Sequence, residues 1–332
     1  MSASPPASSP EVAREVSPES HAAPPERSTL ASELEDALVN APPDFLKLLR
    51  ALNRLTHTRG EKHREVLHEV HGLEVGCGGL HAARELGLLT SDGSTGLTLT
   101  ALGTQVCDGV KQYVNWLEHP LELPRGVTGQ MLRGKRVLDV GCGVGCALLT
   151  FGRHGAASLT GVDLIPSFLA LCKVFARREG LPAPHLACGT GASVPLKSES
   201  FDTVFCRLAF NYMPAAAAVR EMARLCRPDA DLVIILNLLP WEWRTFLDNV
   251  RAMRLKPTAY GLLKFLNGCL YHVTGRQLTL RYPGRMHAVH SPIFHTPRSV
   301  RRLLTRGGFR LAADDAADHP ETAAFWCRRR AE

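Results

Sequence analysis

The stretch Val137-Leu-Asp-Val-Gly-Cys-Gly-Val-Gly145 decides the fold of this chain of 332 residues. In it an apolar run ends at Asp139, and the chain then turns through three glycines at alternate positions. Glycine is needed where the backbone adopts a positive φ or approaches a ligand closely. A second apolar run, at 158–163, also ends in an aspartate, and a carboxylate there can accept hydrogen bonds from ribose hydroxyls. The two runs therefore predict a site for an adenosine-type ligand.

Short apolar runs alternate with helical patterns downstream of this stretch. We predict strands at 201–206 and 231–236, and helices at 166–178 and 215–225. Alternation at this spacing indicates an α/β fold with a parallel sheet that is covered by helices on both faces. Such sheets bind ligands beyond the carboxyl ends of their strands.

The chemistry of the turn narrows the choice of ligand. A nicotinamide dinucleotide favours the spacing GxGxxG, with a helix N-terminus free for its pyrophosphate. Here the spacing is GxGxG, and Asp139 lies two residues before the first glycine. A carboxylate at that position repels a pyrophosphate and attracts a cationic amino group. We therefore expect a nucleoside ligand that carries a positive charge.

The stretch resembles the first motif, [D/E]-x-G-x-G-x-G, of the class I S-adenosylmethionine (SAM) dependent methyltransferases. Three further segments are similar to this family and follow in the family's order, at 194–206, 220–228 and 294–309. The resemblance covers about residues 134–240 and extends more loosely over 295–328. It implies a doubly wound, mostly parallel, seven-stranded Rossmann-like sheet, with SAM as the cofactor.

The resemblance also implies which residues bind the cofactor. Asp139 and the turn glycines would surround the methionine moiety, Asp163 would hold the ribose, and Leu164 would flank the adenine. The family often has Gly-Asp-Ala after the third strand; here Thr190 stands in place of that aspartate, and its hydroxyl or a backbone carbonyl would accept the adenine amine. The residues expected at the cofactor are Asp139, Gly141, Gly143, Gly145, Asp163, Leu164, Thr190, Gly191 and Cys206.

A similar stretch, Leu73-Glu-Val-Gly-Cys-Gly-Gly79, is not expected to bind the cofactor. The residues before it, 64–70, have helical rather than strand periodicity. No strand that ends in a carboxylate follows at the required distance, because Asp92 lies in a Gly/Ser-rich hairpin.

The chain before the α/β pattern divides into two parts. Residues 1–28 are rich in Ser, Pro, Ala and Glu, which predicts a disordered tail. Residues 29–125 are predicted to form a mainly helical domain with a hairpin at 90–100. This region resembles the winged-helix module of some small-molecule methyltransferases, which dimerises and walls the substrate site, and it equally resembles DNA-binding winged helices. The methyltransferase domain is predicted at 126–332.

Methyl transfer needs alignment and exclusion of water more than it needs a particular catalytic residue. Tyr212 follows the fourth strand, where the family often has a histidine, and is one candidate for orienting an acceptor. A segment inserted at about 240–295 is rich in aromatic residues, which suit an apolar small-molecule pocket. Within it His287, His290 and His295 could each supply a general base, since histidine titrates near neutrality, and His290 is the second catalytic candidate. No carboxylate or cysteine lies among these histidines, and no metal is predicted.

The composition excludes several classes of protein. Apolar residues make up 45% of the chain, which is too many for wholesale disorder, and no apolar run is long enough to span a membrane. The ten cysteines are dispersed and no secretory signal is recognisable, which predicts reduced thiols and a cytoplasmic location. The net charge of +7 comes from scattered basic residues rather than from a nucleic-acid-binding stripe.

Three functions are consistent with these observations. The favoured one is a SAM-dependent methyltransferase that acts on O, N or C of a small, aromatic or secondary-metabolite acceptor. The alternatives are an RNA or protein methyltransferase, and a regulator that binds DNA and senses a ligand. We expect a small-molecule acceptor as the partner, a homodimer if the winged-helix resemblance holds, and neither a membrane nor a nucleic acid.

Overall fold

The computed structural model describes residues 32–55, 61–90, 97–119, 123, 125–278 and 292–331. The predicted disordered tail at 1–28 lies outside the described residues. Within them, no helix is both long and apolar enough to cross a membrane.

The N-terminal part is mainly helical, as expected. A two-stranded antiparallel hairpin pairs Leu89 with Leu99 and Thr90 with Thr98. The hairpin leads into a long helix whose first turn is capped by the Thr100 hydroxyl, which accepts a hydrogen bond from the backbone N–H of Gly103 at 2.9 Å. The elements are α1 (Ser32–Val39), α2 (Pro43–Leu55), α3 (Glu61–Cys77), α4 (Gly79–Glu85), β1 (Leu89–Thr90), β2 (Thr98–Leu99) and α5 (Ala101–Glu118).

The C-terminal part is the predicted α/β sheet, and the fold class is confirmed. Its strands are β3 (Arg136–Val140), β4 (Ser158–Asp163), β5 (His185–Cys188), β6 (Phe201–Arg207), β7 (Cys226–Asn237), β8 (Phe309–Asp314) and β9 (Thr322–Arg329). They form one seven-stranded sheet in the order β5-β4-β3-β6-β7-β9-β8, in which only β9 runs antiparallel to its neighbours.

Helices connect these strands and cover the sheet. They are α6 (Cys146–Arg153), α7 (Pro166–Arg178), α8 (Ala215–Leu225), α9 (Leu239–Arg251), α10 (Leu255–Thr274) and α11 (Pro297–Arg306). Helices α7 and α8 have the predicted bounds, and α7 begins with a proline whose fixed φ suits a first turn. Strand β7 is longer than predicted, because it begins at Cys226 and passes Asp229 with a φ of 59°.

The N-terminal helices pack directly on the sheet domain. The rings of Tyr113 in α5 and Phe175 in α7 stack with centroids 4.0 Å apart. Trp116 donates its indole N–H to the Thr150 hydroxyl in α6 at 3.0 Å. The apolar core is therefore continuous across residue 125, the boundary between the two predicted domains.

The second glycine-rich stretch forms no ligand-binding turn. Residues 73–77 belong to helix α3, and Gly78 caps the following helix with a φ of 57°. We expected that this stretch would not form a cofactor-binding turn, and its helical backbone agrees with that expectation.

Candidate active site

A cavity of about 590 Å³ opens beyond the carboxyl ends of β3, β4, β5 and β6. This volume lies within the usual range for small-molecule sites. Five of the nine residues predicted to bind the cofactor line it: Gly141, Asp163, Leu164, Thr190 and Gly191. Sequence reasoning missed other members of the wall, among them Ala209, Met213 and Pro214.

The glycine turn brings the backbone close to neighbouring elements. Gly141 has a φ of 80°, and a Cβ atom there would lie 2.3 Å from Cβ of Ala209. Gly145 has a φ of 81°, and a Cβ atom there would lie 2.2 Å from Sγ of Cys172. A side chain at either position is excluded by both backbone strain and steric overlap. The turn is therefore tight for a structural reason, and Gly145 is not among the residues that line the cavity.

Asp163 is fixed at the wall by two backbone groups. Gly143 donates its N–H to Oδ2 at 2.8 Å, and Ile165 donates its N–H to Oδ1 at 2.9 Å. Because Asp163 lines the cavity at the end of its strand, its carboxylate suits the hydroxyls of a ribose.

Asp139 lies beneath the turn and is almost completely buried. Its Oδ1 atom has no hydrogen-bond partner among the described residues. Burial and, to a smaller extent, the negative charge of Asp163 raise the pKa of this carboxyl to about 7, although Arg207 opposes both effects. An unpartnered buried carboxylate is costly, and a cationic ligand at the turn would offset that cost. The donor set therefore fits a positively charged nucleoside such as SAM.

The remaining predicted cofactor residues have different surroundings. Thr190 forms an isolated bridge with Ser193, which shapes the loop after β5. A Cβ atom on Gly191 would lie 2.2 Å from Sδ of Met213, so glycine lets Met213 pack into the wall. Cys206 is fully buried in the sheet and does not line the cavity.

Tyr212 stands at the rim of the cavity beside a buried ion pair. Its side chain lines the cavity and is 45% exposed. Lys264 in α10 and Glu242 in α9 form an ion pair that is almost inaccessible to water. The Lys264 ammonium lies 5.8 Å from the centroid of the Tyr212 ring. Burial, and then the charge of Glu242, raise the pKa of Tyr212, so its hydroxyl is protonated at neutral pH.

The ion pair is tied to the loop that carries Tyr212. Asn211 donates its amide N–H to the backbone carbonyl of Asn237 at 2.8 Å, and its Oδ1 accepts from the N–H of Asn237 at 3.1 Å. The same amide nitrogen lies 3.5 Å from Oε1 of Glu242. Sequence analysis missed the ion pair of Lys264 and Glu242. The feature that could have indicated it is a lone lysine within the apolar run Leu262-Leu-Lys-Phe-Leu266.

The histidines of the inserted segment are separated. His287 and His290 lie outside the described residues, so the assignment of His290 stays a prediction. His295 is fully buried, and neither ring nitrogen has a hydrogen-bond partner among the described residues. Burial, followed by the charges of His272 and Lys264, lowers the pKa of His295 to about 3, so its ring is neutral near pH 7.

The aromatic residues of this segment pack mainly on one another. Trp243, Phe246 and Phe265 form mutual contacts with centroids between 5.3 and 5.7 Å apart, and Phe294 lies 5.6 Å from Phe265. They join α9 to α10 and leave Tyr212 as the aromatic ring in the cavity wall. In the part of the chain that the structure describes, no three His, Cys, Asp or Glu side chains group as metal ligands do.

Comparison with known proteins agrees with this geometry. Residues 138–234 match a family described as Methyltransferase domain. A ubiquinone biosynthesis O-methyltransferase from Neisseria meningitidis is 36% identical over 173 residues, which cover 45% of this chain and 73% of that protein. The chain belongs to the class I SAM-dependent methyltransferases. Its cofactor is SAM, as the resemblance implied.

Other relatives of this methyltransferase match over shorter lengths. A phthiotriol/phenolphthiotriol dimycocerosates methyltransferase from Mycobacterium leprae is 34% identical over 138 residues, 40% of this chain and 49% of that protein. An uncharacterized methyltransferase from Bacillus subtilis is 31% identical over 106 residues, 32% of this chain and 42% of that protein. The chain thus spans less than half of the length of these two relatives.

Solved structures also align with the methyltransferase. A SAM-dependent methyltransferase from Methanosarcina mazei has 18% identity and a TM-score of 0.45, covering 64% of this chain and 100% of that chain. Magnesium protoporphyrin IX methyltransferase from Synechocystis, with bound SAH, has 17% identity and a TM-score of 0.41, covering 70% of this chain and 89% of that chain.

Proposed function

We propose that this protein transfers a methyl group from SAM to an O, N or C atom of a small-molecule acceptor. The observation that carries the proposal is the single cavity wall shared by Asp163, which suits a ribose, and Tyr212, which stands at the rim. One relative is named for ubiquinone biosynthesis and another for phthiotriol and phenolphthiotriol dimycocerosates. Both names support a small-molecule acceptor.

The residues of the chain divide the work of binding and alignment. Asp163 would accept hydrogen bonds from the ribose, and Asp139 would offset the positive charge of the ligand from below the turn. When bound, SAM supplies an electrophilic methyl group on a sulfonium. Tyr212, protonated and half exposed, is placed to donate a hydrogen bond to an acceptor and so to align it with the methyl group.

The direct test is an assay of SAH formation with the purified chain, SAM and a panel of phenols, hydroquinones and amines, with bulk RNA in parallel. We expect a product one methylene group heavier with a small acceptor and none with RNA. The variant Asp163→Ala is the matched control, and it should lose SAM affinity. Methylation of RNA alone would contradict the acceptor class, and failure of the folded chain to bind SAM or SAH would overturn the activity.

The regulator hypothesis is separated from methyl transfer by a binding measurement. A DNA-binding winged helix is expected to bind duplex DNA with an affinity that falls steeply as the salt concentration rises. We expect no such binding, because the basic residues of the sequence are scattered rather than gathered in a nucleic-acid-binding stripe. Specific DNA binding without any methyl transfer would favour the regulator.

A further inference from the structure

A second cavity, of about 540 Å³, lies on the far side of the segment that follows Tyr212. Its walls come from α8, the C-terminal end of α10, and α11. Three arginines line it: Arg220 from α8, and Arg302 and Arg306 from α11. Arg302 and Arg306 are four residues apart, so their side chains leave the same face of the helix.

The pairing of these arginines differs from that of an adjacent arginine in α11. Within the described ranges, no carboxylate forms an ion pair with Arg220, Arg302 or Arg306, whereas the adjacent Arg301 donates two hydrogen bonds of 2.7 Å to Asp314. The sequence around α10 and α11 is poor in acidic residues, since residues 249–313 contain twelve lysines and arginines and no aspartate or glutamate. Three guanidinium groups around one cavity repel one another unless an anion lies between them.

The rest of the lining is apolar enough for an organic group. Val219 and Leu303 are buried at the base of the cavity, and the half-buried Tyr271 contributes an aromatic ring. The cavity therefore combines a cationic rim with an apolar base. Guanidinium groups bind phosphate oxygens by paired, charge-assisted hydrogen bonds, which a lysine does not reproduce.

We propose that this cavity is a second ligand site, which binds the phosphate group of a phosphorylated small molecule through Arg220, Arg302 and Arg306. It is separate from the cofactor cavity, and it does not depend on the function proposed above. The two cavities share a wall: Gln277, just beyond α10, accepts a hydrogen bond from the N–H of Ala215 at 3.0 Å and donates to the carbonyl of Met213 at 3.0 Å. Met213 lines the cofactor cavity, and Ala216 lines the second one.

The test is calorimetric titration of the full chain with inorganic pyrophosphate. We expect saturable binding, weakened at least tenfold in Arg302→Ala/Arg306→Ala. The matched control is Arg298→Ala/Arg310→Ala, which removes two exposed arginines from outside the cavity and leaves the same net charge. Affinity for SAH, measured on the same samples, should be equal in all three proteins. Equal pyrophosphate affinity in the two double variants, or no binding by the parent chain, would overturn the proposal.

The source of the phosphate is decided by a second measurement. Flotation with phosphatidylcholine vesicles, with and without phosphatidylglycerol, tests a lipid headgroup. We expect the chain to remain unbound while pyrophosphate still binds, as for a soluble ligand. If the chain floated only with vesicles that contain phosphatidylglycerol, and Arg302→Ala/Arg306→Ala did not float, the ligand of the phosphate site would be a lipid headgroup. Thermal unfolding of each variant shows that it is folded, and Arg302→Lys/Arg306→Lys supplies a charge-preserving variant that should bind less well than the parent.

Discussion

Asp139 and Asp163 lie at the ends of two neighbouring parallel strands, but only Asp163 is held by backbone amides. Gly143 and Ile165 donate to Asp163, while Oδ1 of Asp139 is buried and unpartnered among the described residues. The charge of Asp163 also disfavours ionisation of Asp139. The Asp163 carboxylate is therefore oriented to accept hydrogen bonds from a ligand. The buried charge of Asp139 is unfavourable, and a cationic ligand would stabilise it.

We expect Asp139→Asn to stabilise the ligand-free protein and to weaken SAM binding. Because the folded pKa of about 7 lies above the usual value of 3.8, the folded state binds more protons between these values. The protonated Asp139 carboxyl stabilises the folded state at low pH. This stabilisation is lost as pH rises toward 7, and its complete loss lowers the free energy of unfolding by about 4 kcal/mol. Urea unfolding should show that Asp139→Asn raises the free energy of unfolding by more at pH 8 than at pH 5.

Asp314 provides a control of opposite sign. Hydrogen bonds from Arg301 lower its pKa, so its stabilising contribution is present above the unfolded value and is lost as pH falls through the folded one. Asp314→Asn should therefore destabilise the protein at pH 8. If Asp139→Asn destabilised it at pH 8 to the same extent, the interpretation of Asp139 would be wrong.

SAM affinity is expected to rise with pH through about 7. Deprotonated Asp139 attracts the cationic ligand, whereas protonated Asp139 does not. Calorimetry of the parent chain at pH 6 and pH 8 measures this trend, and Asp139→Asn should flatten it. A pH trend that persists unchanged in the variant would assign it to another group.

Replacing Gly143 with valine is expected to abolish SAM binding, while Gly76→Val is not. Gly143 has a φ of 54° and donates the hydrogen bond that positions Asp163. Gly76 lies within helix α3, remote from the turn in the chain. Equilibrium dialysis with labelled SAM measures the difference. Equal loss in two folded variants would remove the turn from the cofactor site.

Gly191→Ala should lower SAM affinity roughly tenfold, because the new methyl group overlaps Met213 and displaces it into the cavity. Backbone strain is not involved, since Gly191 lacks a positive φ. The double variant Gly191→Ala/Met213→Ala should restore affinity. If it did not, Met213 would not be the cause of the loss.

The ion pair between Glu242 and Lys264 joins α9 to α10, and its contribution to stability can be measured. Lys264→Met leaves Glu242 buried and unpaired, which should cost about 3–5 kcal/mol of unfolding free energy. Glu242→Gln/Lys264→Met should cost much less, and both variants should bind SAH as the parent does. A double-mutant cycle by urea unfolding measures the coupling, and additive losses would contradict a buried pair.

Two acceptor-side predictions concern Tyr212 and His290. Tyr212→Phe should reduce turnover without changing SAM affinity, because the ring that lines the cavity is kept and only its hydroxyl donor is lost.

His290→Ala should likewise lower turnover more than SAM affinity. Steady-state kinetics with a methylated acceptor separate kcat from KM in each case, and unchanged turnover would remove that residue from the catalytic candidates.

The sequence by itself determined the α/β fold and the glycine-rich motif that we expect to hold the cofactor. Strands such as Ser158–Asp163 and helices such as Pro166–Arg178 follow from local periodicity, and the turn from glycines whose φ no other residue adopts easily. Parallel strands bring their carboxyl ends to one edge, so Asp139 and Asp163 could be placed together before any coordinates were known.

The tertiary structure decided what periodicity does not encode. Lys264 meets Glu242, and Arg220 meets Arg302 and Arg306, only when distant helices pack together. It also decided that Asp139 is buried and that its Oδ1 atom finds no hydrogen-bond partner among the described residues, because burial depends on the elements that cover a residue and not on its neighbours in the chain. Local sequence sets backbone conformation, whereas desolvation and charge pairing are properties of the packed molecule.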